Sequence, residues 1–501
     1  MSTVRGILES SSQGVLVDIE CHLSNSLPNI VIVGFASKSV DEAKERIRGA
    51  LASSNIKLPK KRITVNLAPA DIPKEGSSFD LPILLSIMIS GGLVKNSTDE
   101  SMIVLGEVGL DGTIRPVRGV IGKILSGRKL GINEFWIPHD NLAQASLVPG
   151  ITLHPLKTVS QLYGILNETE ADTTVSTDET IRTDHKDEVF SVTIDDVVGQ
   201  EQAKRAMLIA AAGHHNIMLN GPPGAGKSML AKALPSIMPA LTPQEMLEVT
   251  HLHSLASKNF DRIITTRPFR SPHHSSSHVA IVGGGQNPRP GEISLSHHGI
   301  LFFDEFPEFS RVVVEALRQP IEDRKITVAR AKDTSDFPAH FLLITTSNPC
   351  PCGYFGSTKE CSCMPAQIVK YQKRVSGPIL DRIDLYIDVE EVAHDKILSG
   401  GTTAKGLEHR KTVANVRAKQ LERNGKLNSE VSNKALRAIA SMSPDTEQFF
   451  NQAAERMKLS ARGYIRALRV ARTIADIEES ASVEIPHISE ALQYRKRAVE
   501  I

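Results

Sequence analysis

The chain has 501 residues, enough for about three domains. Its formal net charge is only +1, so contact with a polyanion must come from local basic clusters and not from a global field. No apolar run of about eighteen residues predicts a membrane span, and the first residues lack the apolar region of a signal peptide. Four of the five cysteines lie close together, unlike an extracellular disulfide framework. We expect a cytoplasmic protein.

The first part of the chain, residues 1–166, alternates short strands with helical stretches. Strands are predicted at 15–19, 30–33 and 62–66, and helices at 40–51 and 81–89. Residues 167–190 are rich in Thr, Asp and Glu, which predicts a flexible acidic linker. An α/β core is predicted over 191–390, and a charged helical region over 391–501.

The clearest motif lies at residues 221–228, which match the phosphate-loop pattern G-x-x-x-x-G-K-[ST]. An apolar run at 217–219 predicts a buried strand before it, and residues 229–234 predict a helix after it. Glycines let the backbone turn its N–H groups towards a polyphosphate, and the helix dipole favours that negative charge. The predicted nucleotide-binding residues are Gly221, Pro222, Pro223, Gly224, Ala225, Gly226, Lys227 and Ser228.

A pair of acids follows a second apolar run. Residues 300–305 read Ile-Leu-Phe-Phe-Asp-Glu, which predicts a strand buried on both faces with carboxylates at its end. We expect Lys227 to reach the β- and γ-phosphates of ATP, and Ser228 and Asp304 to hold Mg²⁺. Glu305 is placed to polarise the attacking water. The alternative is a chance glycine-rich loop with an unrelated acidic turn.

The amino-terminal region resembles the Lon-type fold of the ribosomal S5 superfamily. The resemblance rests on residues 74–82 and 105–117. In Lon proteases the first segment carries the nucleophilic serine, and Ser78 stands at that position. The place of the catalytic lysine holds Ile121, with Lys123 nearby. Because a serine without a close base is a poor nucleophile, we expect a scaffolding or nucleic-acid-contacting role and keep a residual peptidase as an alternative.

The core resembles the magnesium-chelatase-like AAA+ ATPases, and within them the ComM (YifB) competence-protein family. In addition to the phosphate loop, three segments carry the family resemblance: Asp-Val-Val-Gly-Gln at 196–200, Arg-Pro-Phe-Arg-Ser-Pro-His-His at 267–274, and Ser-Gly-Pro-Ile-Leu-Asp-Arg-Ile-Asp at 376–384. The resemblance covers essentially the whole chain. It implies an AAA+ P-loop α/β core, a helical C-terminal lid, and ATP and Mg²⁺ as cofactors.

The same resemblance implies roles for three more residues. Asn348, which follows the apolar strand predicted at 341–344, would be sensor 1 and bond the γ-phosphate or the lytic water. Arg382 would be an arginine finger acting on the neighbouring subunit's site, and Arg462 would be sensor 2. Structural ion pairs are the alternative for both arginines. A finger acting in trans implies a homo-oligomer, and the family resemblance implies a hexamer.

Two insertions make DNA the predicted partner. Residues 275–296 resemble an insert that projects into the pore of related ATPases, with its flexible tip at 283–285. Residues 324–332 predict a hairpin whose Lys325, Arg330 and Lys332 would hold the DNA backbone. The alternative is a solvated basic face, because chelatase subunits carry similar insertions and do not need DNA.

The cysteine cluster predicts a structural Zn²⁺ site, with four reduced thiols as the alternative. Its members are Cys350, Cys352, Cys361 and Cys363, in two C-x-C pairs separated by eight residues. Taken together, the sequence predicts an ATP-driven motor on branched or single-stranded DNA, specifically a branch-migration helicase of homologous recombination and natural transformation. The alternative is a chelatase-like ATPase that remodels a protein partner.

Overall fold

The computed structural model describes residues 3–8, 14–74, 76–95, 101–177, 190–256, 262–285, 288–329, 334–374, 377–392 and 405–495. These residues form a mixed α/β structure with two compact units. The first unit comprises Met1–His185, Thr242–Thr265 and Ala329–Asp336; the second comprises Lys186–Leu241, Thr266–Val328 and Phe337–Ile501. The second unit therefore takes in most of the predicted core and all of the predicted helical region.

The strands are, in chain order, β1 (Thr3–Leu8), β2 (Val15–Ser24), β3 (Asn29–Val33), β4 (Arg62–Ala68), β5 (Met102–Val104), β6 (Glu107–Val108), β7 (Ile114–Arg115), β8 (Glu134–Pro138), β9 (Thr152–Leu156), β10 (Val175–Ser176), β11 (Ile217–Asn220), β12 (Phe269–Arg270), β13 (Gly283–Gly284), β14 (Arg289–Pro290), β15 (Ile300–Phe303), β16 (Lys325–Ala329), β17 (Thr334–Pro338), β18 (Leu342–Ser347) and β19 (Leu385–Asp388).

The α-helices span Lys38–Asp41, Ala43–Ser53, Asp80–Ser90, Val120–Lys129, Leu142–Ala145, Val159–Leu166, Glu201–Gly213, Lys227–Ala233, Pro243–Ala256, His278–Val282, Glu292–Leu295, Arg311–Ala316, Arg318–Asp323, Pro365–Gln372, Gly377–Leu380, Gly406–Asn424, Asn433–Ala440, Pro444–Arg456, Ala461–Ile477 and Ile485–Gln493. Short 3-10 helices span His139–Asn141, Ile194–Asp196, Leu234–Ile237, Phe306–Glu308 and Asn428–Glu430.

The first unit is built on a sheet with the strand order β10-β9-β8-β5-β1-β2-β4-β3. Its strands pair in both senses: β5, β8 and β9 run parallel, whereas β1, β2 and β4 alternate in direction. The helix Asp80–Ser90 contacts β1 and β2 and is buried from Asp80 to Met88, which explains why its sequence is almost entirely apolar. The strands predicted at 15–19, 30–33 and 62–66 are confirmed. The helix predicted at 40–51 is interrupted at Glu42, between two helices.

The second unit is built on a parallel sheet with the strand order β12-β15-β18-β11-β19. In its central part Ile217 lies beside Ile344 of β18 and Leu385 of β19. Strands β15 and β18 are buried along their whole length, as expected when both faces of a parallel sheet are covered. Because all five strands run in one direction, every carboxyl end lies at one edge of the sheet and every amino end at the other.

Helices of the carboxyl-terminal segment share the core of this second unit. The helix Ala461–Ile477 packs against Glu201–Gly213 and Gly406–Asn424, and its apolar side chains belong to the same buried cluster as those of β11. One buried ion pair fixes the helix to the sheet: Arg466 Nη1 lies 2.5 Å from Asp384 Oδ1, immediately before β19. In the part of the chain that the structure describes, no helix is both long and apolar enough to cross a membrane.

Removal of the Arg466 guanidinium should destabilise the second unit. Asp384 is 3% exposed; burial raises the pKa of its carboxyl, but Arg466 and His215 outweigh burial and hold that pKa below its usual range. Arg466→Ala would leave a buried charge without its ionic partner, so the free energy of unfolding should fall by about 3 kcal/mol. Urea denaturation measures the loss. The control Arg456→Ala removes an exposed arginine from the end of Pro444–Arg456, and equal losses in both variants would contradict the prediction.

Candidate functional site

The predicted phosphate loop and its predicted partners meet at the carboxyl edge of the parallel sheet. The loop follows β11, Asp304 and Glu305 follow β15, and Asn348 follows β18. In open α/β sheets this edge is where ligands bind. We call the group formed by Lys227, Ser228, Asp304, Glu305 and Asn348 the phosphate-edge cluster.

Glycines give the loop its shape at two positions. Gly226 has φ of +87° directly before the helix Lys227–Ala233, in the left-handed region that side-chain-bearing residues rarely adopt. A Cβ on Gly221 would lie 2.2 Å from the carbonyl oxygen of Val389, so no larger residue fits there. A second anchor of the loop is Gln200, whose side-chain amide donates to the carbonyl of Ala225. Gln200 belongs to the stretch 196–200, one of the segments that carry the family resemblance.

Lys227 is held at the centre of the cluster. Its ammonium donates to the carbonyls of Gly221 at 2.5 Å and Pro222 at 2.9 Å, and to Asn348 Oδ1 at 3.0 Å. Burial lowers the pKa of Lys227, whereas the carboxylates of Asp304 and Glu305 raise it. The amine of Lys227 therefore contacts both the phosphate loop and Asn348, the predicted sensor. This is where the sequence predicts that the loop binds a phosphate.

Oxygen ligands converge beside Lys227. Ser228 Oγ donates to Asp304 Oδ2 at 3.0 Å, and Thr346 Oγ1 donates to Asp304 Oδ1 at 2.6 Å. The hydroxyl and carboxylate oxygens of Ser228 and Asp304 are close enough for one ion to contact both, and hard cations such as Mg²⁺ prefer such ligands. The residues present therefore fit a magnesium ion bound with a nucleotide.

Thr346 also holds Glu305 in place, a role that the sequence motifs do not predict. The Glu305 N–H donates to Thr346 Oγ1 at 2.9 Å, and Glu305 itself has φ of +53°. A left-handed conformation at a residue other than glycine costs about 1 kcal/mol or more and is concentrated at functional sites. The feature that could have pointed to Thr346 is a polar residue within an otherwise buried strand. Thr346 is 1% exposed.

Arg382 lies at the opposite edge of the same sheet. It precedes β19, whose first residue pairs with Ile217, and its carbonyl accepts a bond from Asn216 Nδ2 at 3.2 Å. Four residues of β11, about 13 Å of strand, separate that end from the phosphate loop. Arg382 is 7% exposed, and its guanidinium contacts Glu322 Oε1 and the carbonyl of Pro378, both at 2.6 Å.

Arg462 lies at this amino edge too. It is exposed, and it lines a cavity of about 450 Å³ together with Asn216 and Glu322. One helical turn further on, Arg466 donates to the carbonyl of Arg382 at 3.1 Å. The structure therefore brings the two predicted catalytic arginines near each other and keeps both away from the phosphate-edge cluster of the same chain.

The predicted DNA-contacting segments are described only in part. Lys325 is exposed at the start of β16, and β16 and β17 form a two-stranded sheet, as predicted for a hairpin. Arg330 and Lys332 lie outside the described residues. In the first insertion the helix His278–Val282 leads into β13, which pairs with β14.

The four clustered cysteines converge. The Sγ of Cys350 lies 3.3 Å from that of Cys352 and 3.7 Å from that of Cys361, and Cys352 and Cys361 are 3.6 Å apart. Cys363 completes a group whose ligand atoms all lie within 4.8 Å of one another. A tetrahedral ion with Zn–S bonds of about 2.3 Å places its sulfurs about 3.8 Å apart, so the group has the dimensions of a single-ion site.

Comparison with protein families matches nearly the whole chain to magnesium-chelatase proteins. The model described as magnesium chelatase, subunit ChlI, matches residues 193–397. The model for subunit ChlI of Mg-chelatase matches 19–141, and that for the ChlI C-terminal region matches 404–495. A weaker likeness joins the chain to a Lon protease of Methanosphaera stadtmanae, 30% identical over 24% of this chain and 14% of that protein.

Full-length relatives are found in several bacteria. The competence protein ComM of Haemophilus influenzae is 40% identical, over 96% of this chain and 95% of that protein. YifB of Escherichia coli is 37% identical, over 96% of this chain and 94% of that protein. The chain therefore belongs to the ComM/YifB family of magnesium-chelatase-like AAA+ ATPases.

Proposed function

We propose that this chain is an Mg²⁺-dependent ATPase that moves DNA, and specifically a branch-migration helicase of homologous recombination and natural transformation. The observation that carries the ATPase part is the phosphate-edge cluster, in which loop, amine, acids and amide meet at one edge of a parallel sheet. Family membership supports the same reading. In subdomain terms we propose a Lon-like domain over 1–166, a linker over 167–190, an AAA+ core over 191–390 and a lid over 391–501. Within the predicted linker, Val175–Ser176 is not free chain, because it forms β10 and pairs with β9 of the first unit.

Each residue of the cluster has one proposed task. The phosphate loop and Lys227 bind the polyphosphate, while Ser228 and Asp304 hold Mg²⁺, which neutralises charge on the transferring phosphoryl group. Glu305 accepts a proton from the attacking water, and Asn348 bonds that water or the γ-phosphate. Thr346 holds both acids in place, because it bonds the side chain of Asp304 and the backbone of Glu305.

Arg382 and Arg462 complete the site of a neighbouring subunit. Both lie at the amino edge of the sheet, whereas the nucleotide is bound at the carboxyl edge, so neither is positioned to serve the nucleotide of its own chain. Head-to-tail contact between copies would bring the amino edge of one to the carboxyl edge of the next, which generates a closed ring when the rotation closes. We propose a homohexamer of this kind. The bond of Arg382 to Glu322 has to be exchanged on assembly.

A mixing experiment tests action in trans. Glu305→Gln should bind ATP without hydrolysing it, and Arg382→Ala should lose roughly 10³ in turnover. In an equal mixture, random assembly makes about one quarter of the sites complete, with the acid from one variant and the arginine from the other. Recovery of that fraction of wild-type ATP hydrolysis is expected. Mixed assemblies, verified by differently tagged subunits, that remain inactive would refute the shared site.

DNA is the proposed substrate for three reasons. Lys325 is exposed on β16, a basic hairpin repeated around a ring would hold a phosphate backbone, and a relative of 40% identity is a competence protein. Ser78, the candidate of the peptidase alternative, is only 8% exposed, which gives a substrate little access to its hydroxyl.

Hydrolysis measured with a four-way DNA junction tests this substrate. The junction should stimulate ATP hydrolysis severalfold at low salt, and the stimulation should fade as salt rises because phosphate contacts release counterions. Lys325→Ala should reduce the stimulation, whereas Lys434→Ala removes an exposed lysine of the helix Asn433–Ala440 and should not. Hydrolysis that ignores DNA but responds to a protein partner would favour the remodelling alternative.

We also propose that the cysteine cluster holds one structural Zn²⁺. The sulfurs of Cys350, Cys352 and Cys361 lie 3.3 to 3.7 Å apart, and with Cys363 all four ligand atoms lie within 4.8 Å of one another, which matches a closed tetrahedral site with no open position for a substrate. The N–H of Phe355 lies 3.3 Å from Cys350 Sγ, a backbone contact that helps to orient this sulfur as a ligand.

Elemental analysis of purified protein should find about one zinc per chain, and Cys361→Ser with Cys363→Ser should remove it. Cys21→Ser, which changes a buried cysteine of the first unit, is the control and should keep the metal. Finding iron in place of zinc would support a metal site at these cysteines but contradict zinc as its ion. Protein without metal, with four thiols that titrate freely, would contradict the metal site itself.

A further inference from the structure

Residues 348–363, which we call the cysteine segment, approach the phosphate loop closely at Gly353. A Cβ built on Gly353 would lie 2.5 Å from Cδ and 2.7 Å from Cγ of Pro223. The backbone of Gly353 therefore lies directly against the ring of a phosphate-loop residue, at a distance that only glycine permits. Gly353 is buried and follows Cys352, one of the four clustered cysteines.

The same segment also carries the predicted sensor. Asn348 accepts a bond from Lys227, and two residues later the side chain of Cys350 is fully buried. Between them, the carbonyl of Pro349 accepts a bond from Gln372 Nε2 at 3.1 Å. A stretch of six residues, 348–353, thus contacts the nucleotide site at both ends and contributes two of the four sulfurs.

We infer that the metal-bound cysteine segment positions the phosphate loop and Asn348, so that nucleotide affinity depends on the metal. The inference rests on the proposed zinc and nucleotide sites and adds a connection between them. The ion would tie Cys350 and Cys352 to Cys361 and Cys363, closing the loop between the two pairs. Gly353 and the four cysteines are then positioning residues, because they act on the nucleotide through Pro223 and Asn348 and do not touch it.

The physical reason is preorganisation. A segment fixed by four metal–sulfur bonds has already lost the freedom that would otherwise be lost when the nucleotide binds. Without the ion, the segment between Asn348 and Cys363 loses its four metal–sulfur bonds and keeps only weaker contacts, so the face of the phosphate loop at Pro223 loses a rigid support. Affinity for ATP should then fall roughly tenfold while the binding residues themselves are unchanged.

Two glycines of this segment provide a matched pair of variants. Gly353 has φ of +88° and Gly356 has φ of +77°, so alanine is strained in the backbone at both positions. The difference is what the new methyl group meets: Pro223 at Gly353, and nothing within 4 Å at Gly356. Gly353→Ala therefore disturbs the contact between the segments, and Gly356→Ala reports on backbone strain alone.

Titration of the full-length chain with a fluorescent ATP analogue and Mg²⁺, alongside zinc analysis of each sample, tests the inference. Gly353→Ala should keep its zinc and bind the analogue roughly tenfold more weakly, whereas Gly356→Ala should keep both properties. Cys361→Ser with Cys363→Ser should lose zinc and affinity together. Pro223→Ala, which removes the ring atoms that the new methyl would meet, should restore part of the affinity of Gly353→Ala.

The possible outcomes separate the claims. The inference is overturned if the variant with Cys361→Ser and Cys363→Ser lacks zinc and still binds the analogue as tightly as wild type. It is also overturned if Gly353→Ala binds the analogue with wild-type affinity. If Gly353→Ala does not fold, the serine variants still decide. Wild-type protein without metal would refute the zinc site, and wild-type protein with zinc but without analogue binding would refute the nucleotide site. Lys227→Ala, which should keep its zinc and lose binding of the analogue, is the reference for protein that holds zinc but does not bind nucleotide.

Discussion

The parallel pairing of β11 with β18 on one side and β19 on the other is the constraint on which the rest of the structure depends. One direction of pairing puts the phosphate loop and Asn348 at the same edge. The same direction puts Arg382, which comes before β19, at the other edge. No adjustment of side chains alters this separation, because it is fixed by backbone hydrogen bonds along buried strands. If Arg382 acts on a nucleotide as proposed, the sheet of a second copy would have to complete the site.

The polar contacts around the site follow from that arrangement. At the carboxyl edge, Thr346 and Asp304 bond each other, and Glu305 is held in a left-handed conformation beside them. At the amino edge, Arg382 is held by Glu322 and the Asp384 carboxylate by Arg466. These ion pairs stabilise the free chain, and the proposed assembly would have to exchange the one between Arg382 and Glu322. Arg382 would leave its ion pair only where contact with a neighbouring subunit offsets the lost free energy. This exchange would restrict hydrolysis to assembled subunits.

The sequence was sufficient for features that depend on local pattern. Apolar runs followed by glycine or acid located β11 and β15, and motif spacing selected Lys227 and Asp304. Pattern could not show that Arg382 lies at the edge opposite its own phosphate loop, because that depends on the direction in which β19 pairs with β11. Nor could it reveal Thr346, whose role depends on a neighbouring strand, or the contact of Gly353 with Pro223, which joins residues more than a hundred positions apart. The interruption of the first predicted helix at Glu42 was equally invisible to periodicity.

The most direct test of the shared site is the rate of ATP hydrolysis per subunit as a function of protein concentration, with the state of association followed by sedimentation. A site completed by a neighbour predicts a rate that is near zero for the monomer, rises steeply as copies associate and then reaches a plateau. A constant rate per subunit, measured down to concentrations at which sedimentation shows only monomer, would contradict the account.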